Sequence, residues 1–314
     1  MNKFFKQWIS VRSLVVLLFA ALCTAHASAQ DPRAFASPED AVTALITALE
    51  KNDVATLYML LGPDSEGVVS SGDEVDDAIV REDFVALYKS KHSLEPEGDS
   101  TVNLLVGDSD WPLPIPIVKK GEKWYLDGAA GADEIVYRRI GRNELGAIAV
   151  CRGFVDAQME YVVEGHDGNE PGIFAPKLRS DPGLHNGLYW PTAEGEPPSP
   201  AGEAVARAAA EGYKAVVGKR KPYHGYYYRM LFAQGANANG GAKEYFEDGF
   251  LTHGVALLAW PADYATSGVM SFMVDEEGIV YQKDLGEDTA SVAETIQEFD
   301  PDGSWSIVES QDDS

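Results

Sequence analysis

Thr101-Val102-Asn103-Leu104-Leu105-Val106 and Lys123-Trp124-Tyr125-Leu126 are the stretches in which the chain changes its period. Val102, Leu104 and Val106 alternate with polar or smaller positions, and Trp124 and Leu126 do so again after the turn Lys120-Gly121-Glu122. A period of two puts one side of an extended chain against a core. Upstream of Gly98 the period is helical. Ser37-Pro38-Glu39-Asp40 supplies an N-cap, a first-turn proline and an acid, and Val42, Leu45, Ile46 and Leu49 follow as one apolar stripe. Asp53 opens a second helix with Leu57, Leu60 and Leu61, stopped at Gly62-Pro63. Beyond the polar loop Ser70-Ser71-Gly72-Asp73, the residues Val80, Phe84, Leu87 and Tyr88 predict a third. Helices followed by an antiparallel hairpin make an α+β unit.

Between the two strands lies Trp111-Pro112-Leu113-Pro114-Ile115-Pro116-Ile117. Alternate prolines remove N–H groups from one edge, so this segment reads as an edge strand rather than a polyproline ligand, with Leu113, Ile115 and Ile117 on one face.

A second α+β unit is expected from about Arg138. Asn143 reads as the cap of a helix on which Leu145, Ile148, Val155, Met159 and Val162 share a face. A long section rich in Gly, Pro and Asn follows Gly165, then an Ala-rich helix from Ala204 to Glu211, ended by Gly212. Strands are expected at Tyr226–Ala233, Val255–Trp260 and in the hairpin Val269–Val274/Ile279–Gln282, and a last short helix carries Val292, Ile296 and Phe299. The resulting division is 1–29 leader, 30–135 first α+β domain, 136–308 second α+β domain, and 309–314 acidic tail.

The leader reads as a secretory signal. Lys3, Lys6 and Arg12 precede the apolar run Leu14 to Leu22, and Ala27-Ser28-Ala29 has the small-residue form of a cleavage site. The run is too short for a retained span, which takes about 20 apolar residues. The expected location is therefore the periplasm, with no stable membrane span after cleavage. Loss of the leader removes Cys23 and leaves Cys151 alone, so no intramolecular disulfide is expected. Acids outnumber bases 50 to 25 over 314 residues, and removing the three leader bases moves the net charge from −25 to −28. A surface that negative repels phosphate backbones, which excludes nucleic acid as a partner class.

Several motifs together carry a resemblance. Ser71-Gly72-Asp73, Trp111 to Pro116, Arg138-Arg139-Ile140-Gly141-Arg142-Asn143-Glu144-Leu145, Gly187-Leu188-Tyr189-Trp190-Pro191, Lys221 to Arg229 and Tyr281-Gln282-Lys283-Asp284-Leu285-Gly286 resemble the signatures of an exported bacterial family, domain-of-unknown-function family 2950 (DUF2950). The resemblance spans nearly the whole mature chain. It implies a Gram-negative envelope location and brings no catalytic residues. In layout, the first half is similar to cone-shaped α+β domains of the nuclear-transport-factor-2-like or cystatin-like kind. The second half resembles the long helix plus sheet of pilins and pseudopilins, without their membrane segment or prepilin-peptidase site.

No reaction motif is present: no G-x-S-x-G, P-loop, G-x-G-x-x-G or H-E-x-x-H. Cys151 falls beside an apolar stripe and reads as an inert core thiol. The segment Glu164-Gly165-His166-Asp167-Gly168-Asn169-Glu170 places oxygen ligands close together, but His166 and Gly168 break the alternation that calcium needs, so a solvated turn is expected. No metal or cofactor is expected. Two basic patches run against the charge of the chain. Arg138, Arg139 and Arg142 cluster where the halves should meet, as ion pairs between them or as an anion site. Lys219-Arg220-Lys221 leads into Tyr223, His224, Tyr226, Tyr228 and Arg229, a mixture of bases and aromatics suited to a protein, peptide or saccharide surface. The functional expectation is a non-enzymatic binding or accessory protein of the envelope. The alternative is a periplasmic hydrolase with its site at the junction.

Overall fold

The computed structural model describes residues 32–309 except 63, 194, 212 and 214–220. The leader 1–29 and its cleavage site, the expected stops at Pro63 and Gly212, the bases Lys219 and Arg220, and tail residues 310–314 lie outside the described residues.

Four helices come first: α1 (Pro38–Glu50), α2 (Val54–Leu61), the single turn α3 (Glu66–Val69) and α4 (Glu74–Ser90). Their starts are chemically determined. Ser37 Oγ accepts from Asp40 N–H at 3.1 Å, Asp53 accepts from Thr56 N–H at 3.0 Å, and Asp73 caps α4. A sheet follows, of β1 (His92–Glu97), β2 (Thr101–Val106), β3 (Trp111–Pro112), β4 (Ile117–Lys120) and β5 (Lys123–Leu126). Its order is β1-β2-β4-β5, antiparallel throughout, with β3 also on β2. The alternation read in β2 is real: Val102, Leu104 and Val106 are buried and the residues between them are not. Strand β1 escaped the pattern because it is a solvent-exposed edge with Leu94 as its single aliphatic residue.

The proline segment forms less strand than its alternation predicts. Only Trp111 and Pro112 pair with β2 before the chain turns, which still buries Ile115 and Ile117 at 3% and 0% exposure.

Helix α5 runs unbroken from Gly128 to Val162, 35 residues, capped by Asp127. The expected start at Asn143 is wrong: Asn143 is buried within the helix, and the boundary drawn between residues 135 and 136 falls inside it. Gly128 and Gly131 hid the first turn, because glycine weakens helical patterning. Here they permit close approach: a Cβ on Gly128 would lie 2.6 Å from the Leu61 carbonyl oxygen, and one on Gly131 would run into that of Pro114. The buried stripe is also rotated from the expected one. Ala147, Ile148, Cys151, Phe154 and Val155 face inward, whereas Leu145 and Met159 point out.

The described residues of the Gly/Pro-rich section 165–201 carry no helix or strand, and α6 (Gly202–Ala210) ends it. Next come β6 (Tyr226–Leu231), the short pairs β7 (Ala233–Gln234) with β8 (Lys243–Glu244) and β9 (Phe246–Glu247) with β10 (Phe250–Leu251), then β11 (Ala256–Pro261), β12 (Met270–Asp275), β13 (Tyr281–Asp284), α7 (Thr289–Thr295) and β14 (Ser306–Ile307). The second sheet has the order β14-β13-β12-β11-β6 and packs against α5. The fold class is α+β, as expected. Two apolar cores form, one around α1, α2 and the first sheet, the other between α5 and the second sheet. Helix α5 serves both: Ile135 packs on the first and Ala147 to Tyr161 belong to the second.

Candidate functional site

The junction between the cores is built around the start of α4. Asp73 Oδ1 accepts from the N–H groups of Val75 and Asp76, an N-cap, while its Oδ2 accepts from the Tyr213 hydroxyl at 2.9 Å and the Gly225 N–H at 3.2 Å. One carboxylate thus joins α4 to the approach of β6. One turn on, Asp77 accepts from Ser71 N–H. Asp73, Asp76 and Asp77 are all buried.

Tyr223 and Tyr226 exchange both backbone hydrogen bonds across His224-Gly225. Both central residues have positive φ, +49° and +73°, the requirement of a type I′ hairpin turn. Only glycine fits the second position, since a Cβ there would strike the Asn143 amide. The turn presents the His224 ring to acids on both sides: Nδ1 lies 3.8 Å from Asp76 Oδ1 and Nε2 3.5 Å from Glu211 Oε2. The other Asp76 oxygen accepts from Arg142 at 2.7 Å. Burial pushes the Asp76 carboxyl up, but His224 and Arg142 outweigh it and hold it below its ordinary value. Tyr213, raised chiefly by burial, stays a neutral donor to Asp73.

These groups edge an open cleft of about 530 Å³. Its opposite wall is apolar, with Val80 and Leu87 of α4, 37% and 46% exposed, beside Phe84 and Trp111. Val80 and Leu87 were expected to face the core with Phe84 and Tyr88; they line the cleft instead. One buried acceptor at its edge, Asn143 Oδ1, has no hydrogen-bond donor, and Glu211 Oε2 is buried with His224 Nε2 beside it.

The structure separates the residues singled out in the sequence. His224 lines the cleft, and Tyr223 packs behind it, edge-on to Tyr213 at 4.8 Å. Tyr226 is fully buried, its hydroxyl donating to Met270 O at 2.9 Å. Tyr228 is half-buried against Tyr223 O, and burial pushes its phenol well up. Arg229 donates to the carbonyls of Ala293 and Ile296 and lies over Trp260, latching α7 to the sheet. These three are packing, so the aromatic-basic run is not one surface. Arg142 lines the cleft and, with Arg138 and Arg139, a second cavity beneath α4. Sequence reading missed Asp73, Asp76, Asn143, Glu211 and Tyr213. Asp73 alone carried a signal, its capping position; among 50 acids the rest were indistinguishable.

Cys151 is fully buried, and desolvation pushes its thiol up to about 12, which leaves it inert. In the Glu164–Glu170 turn, both Asp167 oxygens accept from His185 N–H. Among the described residues, no three His, Cys, Asp or Glu side chains are grouped to hold a metal ion, and no helix is long and apolar enough to cross a membrane.

No curated protein and no solved structure matches the chain, so the cone-like and pilin-like likenesses are matters of layout alone. A family model does match, over residues 32–308, and on that coverage the chain belongs to the family described as "Protein of unknown function (DUF2950)".

Proposed function

We propose that this is an exported, non-enzymatic binding protein of the bacterial envelope, whose junction cleft receives a saccharide or peptide rich in hydrogen-bond donors. The observation that supports it most is the buried acceptor Asn143 Oδ1, unfilled at the edge of a cleft with an apolar wall. A buried acceptor left unpaired costs about 1–3 kcal/mol, which a donor-bearing partner restores. Exposed Val80 and Leu87, with half-buried Trp111, add the apolar area on which sugar rings or peptide side chains rest.

The hydrolase alternative has one observation in its favour, a histidine between two carboxylates at a cleft. A base must keep one nitrogen free to take a proton, and both nitrogens of His224 face acids. No described hydrogen bond joins its ring to a Ser, Thr or Cys.

Titration of soluble peptidoglycan fragments and envelope oligosaccharides tests the reading calorimetrically. Leu87→Glu, at an exposed position, should abolish binding without changing Tm. Turnover of any such compound that disappears in His224→Ala would transfer the cleft to the hydrolase reading. Export is tested by intact mass of the periplasmic protein, which should begin at Gln30.

A further inference from the structure

Beneath α4 lies a second cavity of about 260 Å³, with walls that are apolar apart from one group of charges. Leu45, Leu57, Phe84, Leu113 and Ile115 make its floor and sides. Arg81, Arg138, Arg139 and Arg142 converge on its rim, in a chain of net charge −25.

The partners of these arginines matter more than their number. Arg138 pairs with Glu134 at 2.6 Å on the outside of α5 and lies over Trp111. Arg142 pairs with Asp76. Arg81 donates to Val69 O and Asn52 Oδ1, with Asp77 3.9 Å away. Arg139 is 6% exposed and donates only to neutral carbonyls, Gly67 O at 2.5 Å and Val68 O at 3.2 Å. Carbonyls of α3 therefore hold two guanidiniums at the cavity wall, and that of Arg139 has no carboxylate in contact. Three carboxylates, Glu134, Asp76 and Asp77, lie in ion-pair reach of the other three arginines, and none touches Arg139, on which Asp77 and Asp76 act only through space. A buried cation with no anion in contact is costly, and the remaining N–H groups of Arg139 form a fork suited to a planar oxyanion.

We propose that this cavity binds a single-chain amphiphile with one negative charge, a medium-chain carboxylate, with its tail among Leu45, Phe84 and Ile115 and its head on Arg139. The space suits such a tail, since a dry cavity of about 150 Å³ already takes up benzene. This site adjoins the junction cleft, sharing Val80, Phe84, Trp111 and Arg142 with it, and Leu87, which lines only the cleft, tells the two apart.

Octanoate titrated into the full mature chain and followed by calorimetry is the test. Octanoate should saturate one site, about a hundredfold more tightly than butanoate, from four methylenes. Octanol should bind at least about tenfold more weakly, for want of the charge. Leu113→Trp, which fills the cavity, should block octanoate and octanol alike. Arg139→Gln should bring octanoate down to the level of octanol; if that variant does not fold, Arg138→Gln, at an exposed arginine, should lower octanoate affinity and leave octanol unchanged. Leu87→Glu should retain octanoate binding whatever it does to the cleft. No saturable uptake of octanoate, equal affinity for octanoate and octanol, or tighter binding of dianionic octyl phosphate would each overturn the proposal.

Discussion

Asp275 is 5% exposed at the end of β12, and burial, with Glu276 and Glu277 beside it, pushes its carboxyl up to about 6. In the unfolded chain an aspartate titrates near ~3.9. Between those two values the native state holds a proton that the unfolded chain has lost, so stability falls as pH rises from about 4 to about 6. At pH 7 the burden is complete, on the order of 3 kcal/mol at most. Asp275→Asn should therefore raise the urea midpoint at pH 7 and leave it nearly unchanged at pH 4. The amide oxygen can still accept from Glu277 N–H, which the carboxylate binds at 3.1 Å. Asp76 runs the other way: its lowered value contributes stability above the ordinary aspartate range, lost as acid protonates it. Gly225 makes a second expectation at this scale. Gly225→Ala meets both a positive φ and the Asn143 amide, so chemical denaturation should show a loss of about 2 kcal/mol or more. His224 tolerates its own positive φ because that turn form demands it, which makes its backbone a matter of local geometry rather than of stored strain for chemistry.

At the scale of elements, α1, α2 and α4 were legible from their caps. Ser37, Asp53 and Asp73 act on N–H groups two or three residues away, so their effect depends on neighbours that any reader of the sequence can see. The first turn of α5 was not legible, because its glycines answer to residues far along the chain. Gly131→Ala separates the two influences. Helix propensity alone would favour alanine by about 1 kcal/mol. The methyl group would meet the carbonyl of Pro114, which is backbone and gives little. We expect the clash to win, with a net loss of about 1–3 kcal/mol in the equilibrium stability. A rise in Tm would show that the start of α5 stands off the proline segment. The rotated face of α5 has a related origin: Ala147 and Cys151 are small enough for the sheet to pack close, which a count of large aliphatics such as Leu145 and Met159 overlooks.

At the scale of the molecule, α5 is the part that both cores share. Its 35 residues extend about 50 Å, at 1.5 Å per residue. Ile135 and Arg139 belong to the first core and its cavity, Ala147 to Tyr161 to the second. Asp73 and Asp76 add polar ties to Gly225 and Arg142. Separate expression of residues 30–130 and 143–308 should therefore give pieces that do not unfold cooperatively, while the intact mature chain melts in one transition; two independent transitions in calorimetry would contradict this. What the order of residues determined alone was local: the caps of α1, α2 and α4, the period of strands such as β2 and the turn at Gly121. Such features depend on hydrogen bonds and side-chain alternation within a few residues. The candidate site was decided only by tertiary structure. Arg142 meets Asp76 across 66 positions and Gly225 meets Asp73 across 152. Among 50 acids, only folding chose which lost their water and so acquired a partner and a shifted pKa, because desolvation is a property of the packed surroundings and not of the residue.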